Sequence, residues 1–200
     1  MSSSDHSTIS YEKHDLINAP SGSHKVKYQP GQDWDFHLDI AHKPVDLSLV
    51  LPHYRARNQP IDHRMSMFLG NESYPMKIKV CRSYCRAKFE LEVRASTSDV
   101  TIWLPSDFKG HIRCPKATSF SAGFVNRVMR NVRLNEPRYR PAPDEDEVIV
   151  ATHGHITFRM WDVQTSAPEN TQKETFRRLF CCAHKAPETS HDWDFLLEDA

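Results

Sequence analysis

The amino-acid sequence predicts a mainly β protein, built either as a single-domain β-sandwich or as solenoid-like stacked strand–turn–strand units, with a short C-terminal helix. Two stretches, residues 76–104 and 148–160, carry this prediction, because apolar side chains occupy alternate positions with charged or polar residues between them. A period of two places one face of a sheet in a core and the other in water. Short polar turns between the alternating runs favour strands over helices.

Composition divides the chain into three parts. Residues 1–31 are rich in Ser, His and Lys and are predicted to form a disordered N-terminal arm. Residues 32–165 form the β-rich domain, and residues 166–200 form a C-terminal appendage with a short amphipathic helix and an acidic-aromatic tail. A hydrophobic fraction of 38% with 13 Pro fits a folded centre flanked by polar ends.

Three alternating runs precede the central repeat. Residues 45–51 predict a strand that Pro52 ends, residues 65–69 predict a short strand, and residues 76–80 predict a third. A polar loop that contains Pro60 separates the first run from the second.

The most regular segment joins two alternating runs, residues 89–95 and 100–104, through the turn cluster at 96–99. It is either a hairpin or a strand–turn–strand step of a coiling sheet, and Pro105 ends it. Residues 148–160 repeat the pattern, with Gly154 predicted at a positive φ in the turn.

Helical spacing occurs twice outside these runs. Phe124, Val128 and Val132 are four residues apart, which allows a short helix between the two repeats, although the β-branched residues weaken it. A Pro- and charge-rich loop follows at residues 136–147. In the appendage, Thr171 and Glu174 match a capping box. The apolar face of the helix that would follow is Phe176, Leu179 and Phe180.

Three segments together resemble a known family: residues 92–112, 119–136 and 148–163. The string D-V-T-I-W-L-P-x-x-F-x-G at residues 99–110 is the most specific part. The family is a fungal domain family of unknown function that is similar in pattern to bacterial putative-adhesin domains. The resemblance covers roughly residues 40–165 and implies a β-rich solenoid-like or sandwich fold. It departs where Ser98-Asp99 stands in place of a common Gly, and it implies no established activity and no functional residues.

The charge balance argues against a nucleic-acid partner. Lys+Arg and Asp+Glu both number 26, so no long-range field attracts polyanions. Arg127, Arg130 and Arg133 are three apart and could form a basic ridge on a helix. The acidic run at residues 144–147 would balance such a ridge as part of a solvated face.

Targeting features and thiols indicate the expected compartment. The segment MSSSDHSTIS lacks the basic and apolar regions of a secretory signal, and no run of about 18 apolar residues predicts a spanning helix. Five Cys in such a chain predict free thiols in a reducing environment. We therefore expect a cytoplasmic protein that is membrane-peripheral if lipid chains are attached.

Metal and catalytic chemistry have little support in the sequence. Cys81, Cys85, His111 and Cys114 form a weak candidate zinc set, because their spacing is not that of a zinc knuckle. Their alternative role is as buried thiols and sheet residues. No nucleophile elbow, phosphate loop, zincin or dinucleotide motif occurs. The sequence predicts no enzyme activity and no cofactor; a zinc-binding or thiol enzyme is the least favoured reading.

Two adjacent cysteines, Cys181 and Cys182, follow basic and bulky apolar residues and are candidates for S-acylation. Two lipid chains would anchor the protein where one would not. The alternative is a short helix docked on the β domain, in which the two thiols fill space as small apolar side chains.

The tetrapeptide DWDF occurs twice, at residues 33–36 and 192–195. Each copy either binds a partner protein through its aromatic rings or adds as an edge strand to the sheet. The two-residue spacing predicts that both rings of a copy face one side. The partner-binding candidates are Trp34, Phe36, Trp193 and Phe195.

These observations predict a non-enzymatic intracellular binding or scaffold module with an unidentified protein partner. The alternative is a peripheral membrane protein tethered at Cys181 and Cys182.

Overall fold

The structure is a computed structural model that describes residues 20–83, 87–115, 118–136 and 142–180, with side chains to residue 176. Within these ranges the protein is mostly strand, arranged in two sheets of predominantly parallel strands, with two short α-helices. This confirms the predicted mainly β class.

Sheet A has seven strands and sheet B has six. The strands of sheet A, in chain order, are β1 (Ser21–Lys25), β3 (Val45–Val50), β5 (Met76–Cys81), β7 (Val100–Pro105), β9 (Thr118–Phe120), β12 (Ile156–Asp162) and β13 (Ala167–Pro168). The strands of sheet B are β2 (Phe36–Asp39), β4 (Met65–Asn71), β6 (Phe89–Ala95), β8 (Gly110–Arg113), β10 (Val132–Leu134) and β11 (Asp146–Ala151).

From β1 to β10 the chain alternates between the two sheets, one strand in each. Within a sheet the described pairs are parallel, apart from the antiparallel pair β12–β13. The hairpin predicted at residues 89–104 is therefore wrong, because β6 and β7 lie in different sheets. The alternative, a strand–turn–strand step, is what forms. A step between sheets lets both apolar faces enter one core, and neither strand needs the other as its hydrogen-bond partner.

The two similar sequence units are neighbours in space. Strand β11 pairs with β6, and strand β12 pairs with β7, each in parallel. The chain first continues to β8 and β10 and then returns, so that β11 lies between β6 and β8. The two similar sequence segments therefore form neighbouring strands in each sheet. This pairing aligns Leu91 with Val148 and Ile102 with Phe158.

The turns of the two units also stack, and this corrects the prediction for Gly154. Its φ is not positive. A Cβ on Gly154 would lie 2.3 Å from the carbonyl oxygen of Ser98 in the turn of the first unit. The Thr152 hydroxyl donates to the same carbonyl at 2.9 Å. Glycine is required here because two backbones approach closely, not because the turn needs a left-handed residue.

The core lies between the sheets and consists of the inward residues of each alternating run. One row of sheet B runs from Phe36 through Met67 and Leu91 to Val148 and Ile112, and all five are at most 5% exposed. Burial of such side chains contributes roughly 1.5–3 kcal/mol each, which makes this shared interior the main source of stability.

A buried ionic cluster links two connections between strands to the first residue of β11. Arg82 follows β5 and is 1% exposed on its side chain, and its guanidinium donates to Asp146 at 2.9 and 3.0 Å. It also donates to Asp107 at 2.8 and 3.1 Å and to the carbonyl of Ala87 at 3.2 Å. Because Asp146 is fully buried, removal of either partner would leave an unpaired charge in the interior, which is strongly destabilising.

The first helix, α1 (Ala122–Arg127), is shorter than the predicted one. Ser121 caps it by accepting from the amide of Phe124 at 3.3 Å. A 3-10 turn (Met129–Asn131) follows, and Val132 begins β10. Phe124 and Val128 are buried as the spacing predicted, but Val132 reaches the core from a strand. Its β-branched side chain suits the extended backbone.

The second helix, α2 (Thr171–Phe180), packs against α1. Its N-cap is Asn170, whose side chain accepts from the amide of Lys173 at 3.2 Å. The predicted capping box is therefore displaced by one residue: Thr171 is the first helical residue, and Glu174 is buried. The Asn side chain satisfies an amide that the helix itself leaves unpaired.

Described elements lie beyond both predicted limits of the β-rich domain. Strand β1 lies inside the predicted arm and pairs with β3 through backbone hydrogen bonds. Its side chains are polar, so their pattern did not predict a strand. Strand β13 and helix α2 belong to the predicted appendage but contact β12 and α1. Residues 1–19 of the predicted arm and residues 181–200, which include the acidic-aromatic tail, lie outside the described residues.

Candidate interaction surface on sheet B

The first DWDF copy is anchored by a buried carboxylate that precedes β2. Asp35 is 4% exposed and accepts from the backbone amides of Gln29 and Ser66, each at 2.9 Å. The ring nitrogen Nε2 of His63 lies 2.7 Å from the same carboxylate. These contacts fix the entry of the chain into the edge strand of sheet B, which agrees with the edge-strand alternative for this copy.

The two rings of this copy face opposite sides, contrary to the prediction. Phe36 is 5% exposed in the core, paired with Met67. Trp34 lies on the outer face of sheet B, with its ring centroid 5.5 Å from that of Phe68. The reason is that the buried turn at Asp35 breaks the strand alternation between the two rings. Phe36 is thus a core residue, and Trp34 is the one with surface available to a partner.

Trp34 belongs to a group on the outer face that we call the aromatic patch: Trp34, His37, Phe68 and Arg94. The His37 ring stacks on Phe68 at 5.0 Å and 9°. The Arg94 guanidinium lies 5.7 Å from the Phe68 ring centroid, and its side chain is 66% exposed. Phe68 is therefore flanked by two rings and a cation on a face that alternation assigns to solvent.

A shallow groove continues from the patch along the turns that follow the strands of sheet B. It begins at Phe68 and Arg94, passes over Gly70 and ends at His153. Gly70 leaves room for the Asp39 side chain, since a Cβ there would lie 2.3 Å from the Asp39 carboxylate. The groove has polar walls at both ends, and it could receive an extended chain or a loop of a partner.

Ionic pairs cover the neighbouring part of the same face. Arg64 lies 3.3 Å from Glu90 and 3.3 Å from Glu147, and Arg113 also pairs with Glu147. Burial raises the pKa of Glu90, and the adjacent Arg64 opposes that shift. These pairs neutralise one another, which leaves the aromatic patch as the apolar part of this face.

The predicted basic ridge does not form on one helix. Arg127 lies in α1 and pairs with Asp162 at 2.9 Å, whereas Arg130 lies in the 3-10 turn. Arg133 lies in β10, 3.9 Å from Glu145. The α-helix ends at Arg127, the first of the three, so the spacing of three no longer places their side chains on one helix face.

The candidate zinc ligands are divided between the two sheets. Cys81 ends β5 in sheet A, whereas His111 lies in β8 of sheet B and Cys114 follows it. Among the described residues, no group of three or more potential ligands converges. Cys85 lies outside them. Burial raises the pKa of the Cys81 thiol to about 11, and burial with the nearby Arg113 lowers the pKa of His111. Both groups therefore favour their neutral forms.

One serine–histidine contact was not singled out from the sequence. The Ser119 hydroxyl lies 3.0 Å from Nε2 of His155 and 3.1 Å from the Thr157 hydroxyl. Asp99 contacts the backbone amide of His155. The pair lies on an exposed part of sheet A, and the described grooves do not include it. Within the part of the chain that the structure describes, no side chain orients the His155 ring and no groove encloses the pair, and nucleophilic catalysis requires both features.

Sequence reasoning also missed three of the four patch residues. A detectable signal was present at Phe68, an aromatic residue at an outward position between the inward Met67 and Leu69. His37 and Arg94 carry no such signal, because their proximity to Phe68 depends on strand pairing. The remaining site predictions, Trp193, Phe195, Cys181 and Cys182, lie outside the described residues.

No described helix combines the length and apolar character needed to cross a bilayer. Comparisons with protein-family models, curated proteins and solved structures found no match to this chain.

Proposed function

We propose that this chain is a non-enzymatic cytoplasmic binding or scaffold module that recognises a protein partner through the aromatic patch. The carrying observation is the outer-face group of half-buried Trp34, half-buried Phe68 and exposed His37, with Arg94 beside it. Trp and Arg dominate the energetics of protein interfaces, and an aromatic centre with a charged rim is the usual arrangement of such sites.

The adjoining groove supports a partner that lies across the strands. An apolar side chain of that partner would pack beside Trp34, and a carboxylate would meet Arg94. His37, Phe68 and Arg94 lie on β2, β4 and β6, and the buried Asp35 fixes the segment that carries Trp34. The side chains of the patch are therefore preorganised, which lowers the entropic cost of binding.

The test is quantitative recovery of partners by proximity labelling in the native cell, comparing wild type with Trp34→Ala and Phe68→Ala. A residue at the centre of an interface contributes about 2 kcal/mol or more, so we expect at least roughly 30-fold weaker binding of specific partners. Tyr54→Ala is the matched control, because Tyr54 is 85% exposed, lies in the loop before β4 and belongs neither to the patch nor to the groove lining.

Loss of the same partners in both patch variants, with retention in the Tyr54 variant, supports the proposal. Retention in all three variants contradicts it. Circular dichroism of each purified variant separates lost binding from lost folding.

We further propose that the two sheets are the faces of a solenoid-like stack rather than of a sandwich built from separate hairpins. Alternation of consecutive strands between sheets and parallel, in-register rows support this arrangement. Kinship with the fungal domain family remains a prediction.

A second candidate function is membrane tethering through S-acylation of Cys181 and Cys182. The supporting observation is that α2 ends at Phe180, directly before the pair, and carries Phe176 with 60% of its surface exposed. Membrane fractionation of wild type against the double variant Cys181→Ser/Cys182→Ser tests it, with Cys114→Ser as control. An unchanged distribution of the double variant would rule out the tether.

A further inference from the structure

The outer face of sheet A is a second surface, on the side of the molecule opposite to the aromatic patch. Alternation along each strand directs one set of side chains into the core and the other set outwards. Within β1, β3, β5, β7 and β12 the outward positions carry four cations, which we call the basic face: Lys25, Lys77, Lys79 and Arg159. Asp46 is the carboxylate at an outward position of these strands.

Two carboxylates compensate half of this charge. Asp46 lies 2.6 Å from the Lys79 ammonium, and the buried Glu169 lies 3.2 Å from Nε of Arg159. The other two cations are exposed and have no ion-pair partner within the described ranges of the chain: Lys25 and Lys77. The basic face therefore presents two uncompensated positive charges to solvent.

The outer face of sheet B has the opposite balance. Its outward strand positions hold four carboxylates and three guanidinium groups: Asp39, Glu90, Glu92 and Glu147, with Arg94, Arg113 and Arg133. Because the core lies between the sheets, the two outer faces point in opposite directions. A chain whose Lys+Arg equals its Asp+Glu thus has a local positive surface, which can attract an anionic partner at short range.

The aromatic residues of the basic face are poorly placed for nucleic acids. Trp103 is 8% exposed, and its ring centroid lies 5.4 Å from Nζ of Lys79 and 5.3 Å from Cζ of Arg159, on the strands to either side. Trp161 is half-buried at the margin, paired with Pro168. Single-stranded nucleic acids are held by accessible rings on which the bases stack, so this face favours an anionic surface that needs charge alone.

We propose that the basic face binds the surface of a bilayer that contains anionic phospholipids, by electrostatic contact and without an inserted segment. Lys25 and Arg159 lie on strands four positions apart in sheet A, which is about 19 Å at the usual strand spacing. A planar layer of headgroups can contact cations spread over such an area together.

This orientation is compatible with the proposed protein partner. Contact through sheet A leaves the aromatic patch on the opposite side accessible. The basic face does not depend on S-acylation, so it is tested on the unacylated chain.

Sedimentation of the full, unacylated chain with large vesicles tests the basic face. Phosphatidylcholine vesicles are compared with vesicles that also contain about 30 mol% phosphatidylserine, at about 50 mM NaCl, where screening is weak. Each uncompensated Lys at an anionic surface strengthens binding by about fivefold, so wild type should prefer the anionic vesicles by at least about tenfold. About 300 mM NaCl should remove most of this preference. Equal binding to both vesicles, or a preference insensitive to salt, would overturn the proposal.

Charge variants locate the contact on the molecule. Lys77→Gln should weaken binding to the anionic vesicles by about fivefold, and Lys25→Glu/Lys77→Glu should reduce it to the level of neutral vesicles. Arg130→Glu is the matched control, because Arg130 is an exposed cation of the 3-10 turn outside sheet A. Circular dichroism verifies that each variant is folded. An equal loss in Arg130→Glu and in Lys25→Glu/Lys77→Glu would show that net charge alone governs binding, and the basic face would be wrong.

Competition separates a bilayer from other polyanions. A single-stranded oligonucleotide or polyglutamate, added at the same concentration of negative charge as the vesicles, should leave the chain on the vesicles. Release by either competitor would assign the face to a nucleic acid or to an acidic protein segment, and would contradict the proposal.

Discussion

Replacing Arg82 by Met removes the guanidinium that donates two hydrogen bonds to the buried carboxylate of Asp146. Asp146 has no exposed surface, and its remaining contacts are the amides of Phe89 at 3.3 Å and Lys109 at 3.4 Å. Both are long for hydrogen bonds to a charged oxygen, so they compensate little of the lost pair. The second partner, Asp107, is 29% exposed and can be hydrated instead.

The expected loss of folding free energy follows from the different exposure of the two carboxylates. Breaking a buried pair by removing one partner costs about 3–5 kcal/mol, most of which here reflects the stranded carboxylate of Asp146. A domain of this kind has a total stability of about 5–15 kcal/mol, so Arg82→Met should remove a large fraction of it. The double variant Arg82→Met/Asp146→Leu should recover much of the loss, because no buried charge remains.

Urea denaturation followed by tryptophan fluorescence measures these free energies of unfolding. The matched control is Arg94→Met, whose side chain is 66% exposed and paired with Glu92, and which should cost at most about 1 kcal/mol. A loss below about 1 kcal/mol for Arg82→Met would refute the assignment of this cluster as a buried structural pair.

The pH dependence provides a second check on the same variant. Burial raises the pKa of Asp146 above its ordinary value, and loss of Arg82 should raise it further. A carboxyl group with a raised pKa in the folded state binds a proton more readily there than in the unfolded chain. The deficit of Arg82→Met should therefore shrink as the pH falls, and a deficit that grows would contradict the electrostatic explanation.

Three further results are expected. Gly154→Ala should destabilise the protein by about 1–3 kcal/mol in urea denaturation, because its Cβ would overlap the carbonyl of Ser98. Burial and Arg113 lower the pKa of His111 in the folded protein. The contribution of His111 to the free energy of unfolding should therefore be full above about pH 6.5 and decline as the pH falls below that value. The variant His111→Gln should not show this decline. The thiol of Cys81, with a pKa of about 11, should react with iodoacetamide at pH 8 only after unfolding, as mass spectrometry of the modified peptide would show.

Each of these expectations has a contradicting outcome. Wild-type stability of Gly154→Ala would mean that the two turns do not approach as closely as described. Parallel pH profiles for wild type and His111→Gln would show that another group titrates in that window. Rapid alkylation of native Cys81 would show that its thiolate is accessible.

Local patterns accounted for much of the fold. The alternation at residues 89–95, 100–104 and 156–160 predicted strands that the structure contains, and Pro105 is the last residue of β7. The similarity between the two units correctly indicated related structural elements. These predictions succeed because the direction of a side chain from an extended backbone depends only on its position in the strand.

The aromatic patch was predicted only in part. Trp34 drew attention as a repeated residue, but Phe36 belongs to the core, and His37, Phe68 and Arg94 come together only through pairing of β2, β4 and β6.

The sequence by itself determined where the chain is extended and which side chains of each strand avoid water. Only the tertiary structure decided that the chain alternates between sheets, that polar β1 pairs with β3, and that the second unit inserts beside the first. The same long-range pairing separated Cys81 from His111. The physical reason is that strands pair through backbone C=O groups, which every residue carries, and N–H groups, which only proline lacks. The partner of a strand is therefore set by its surroundings rather than by its own side chains.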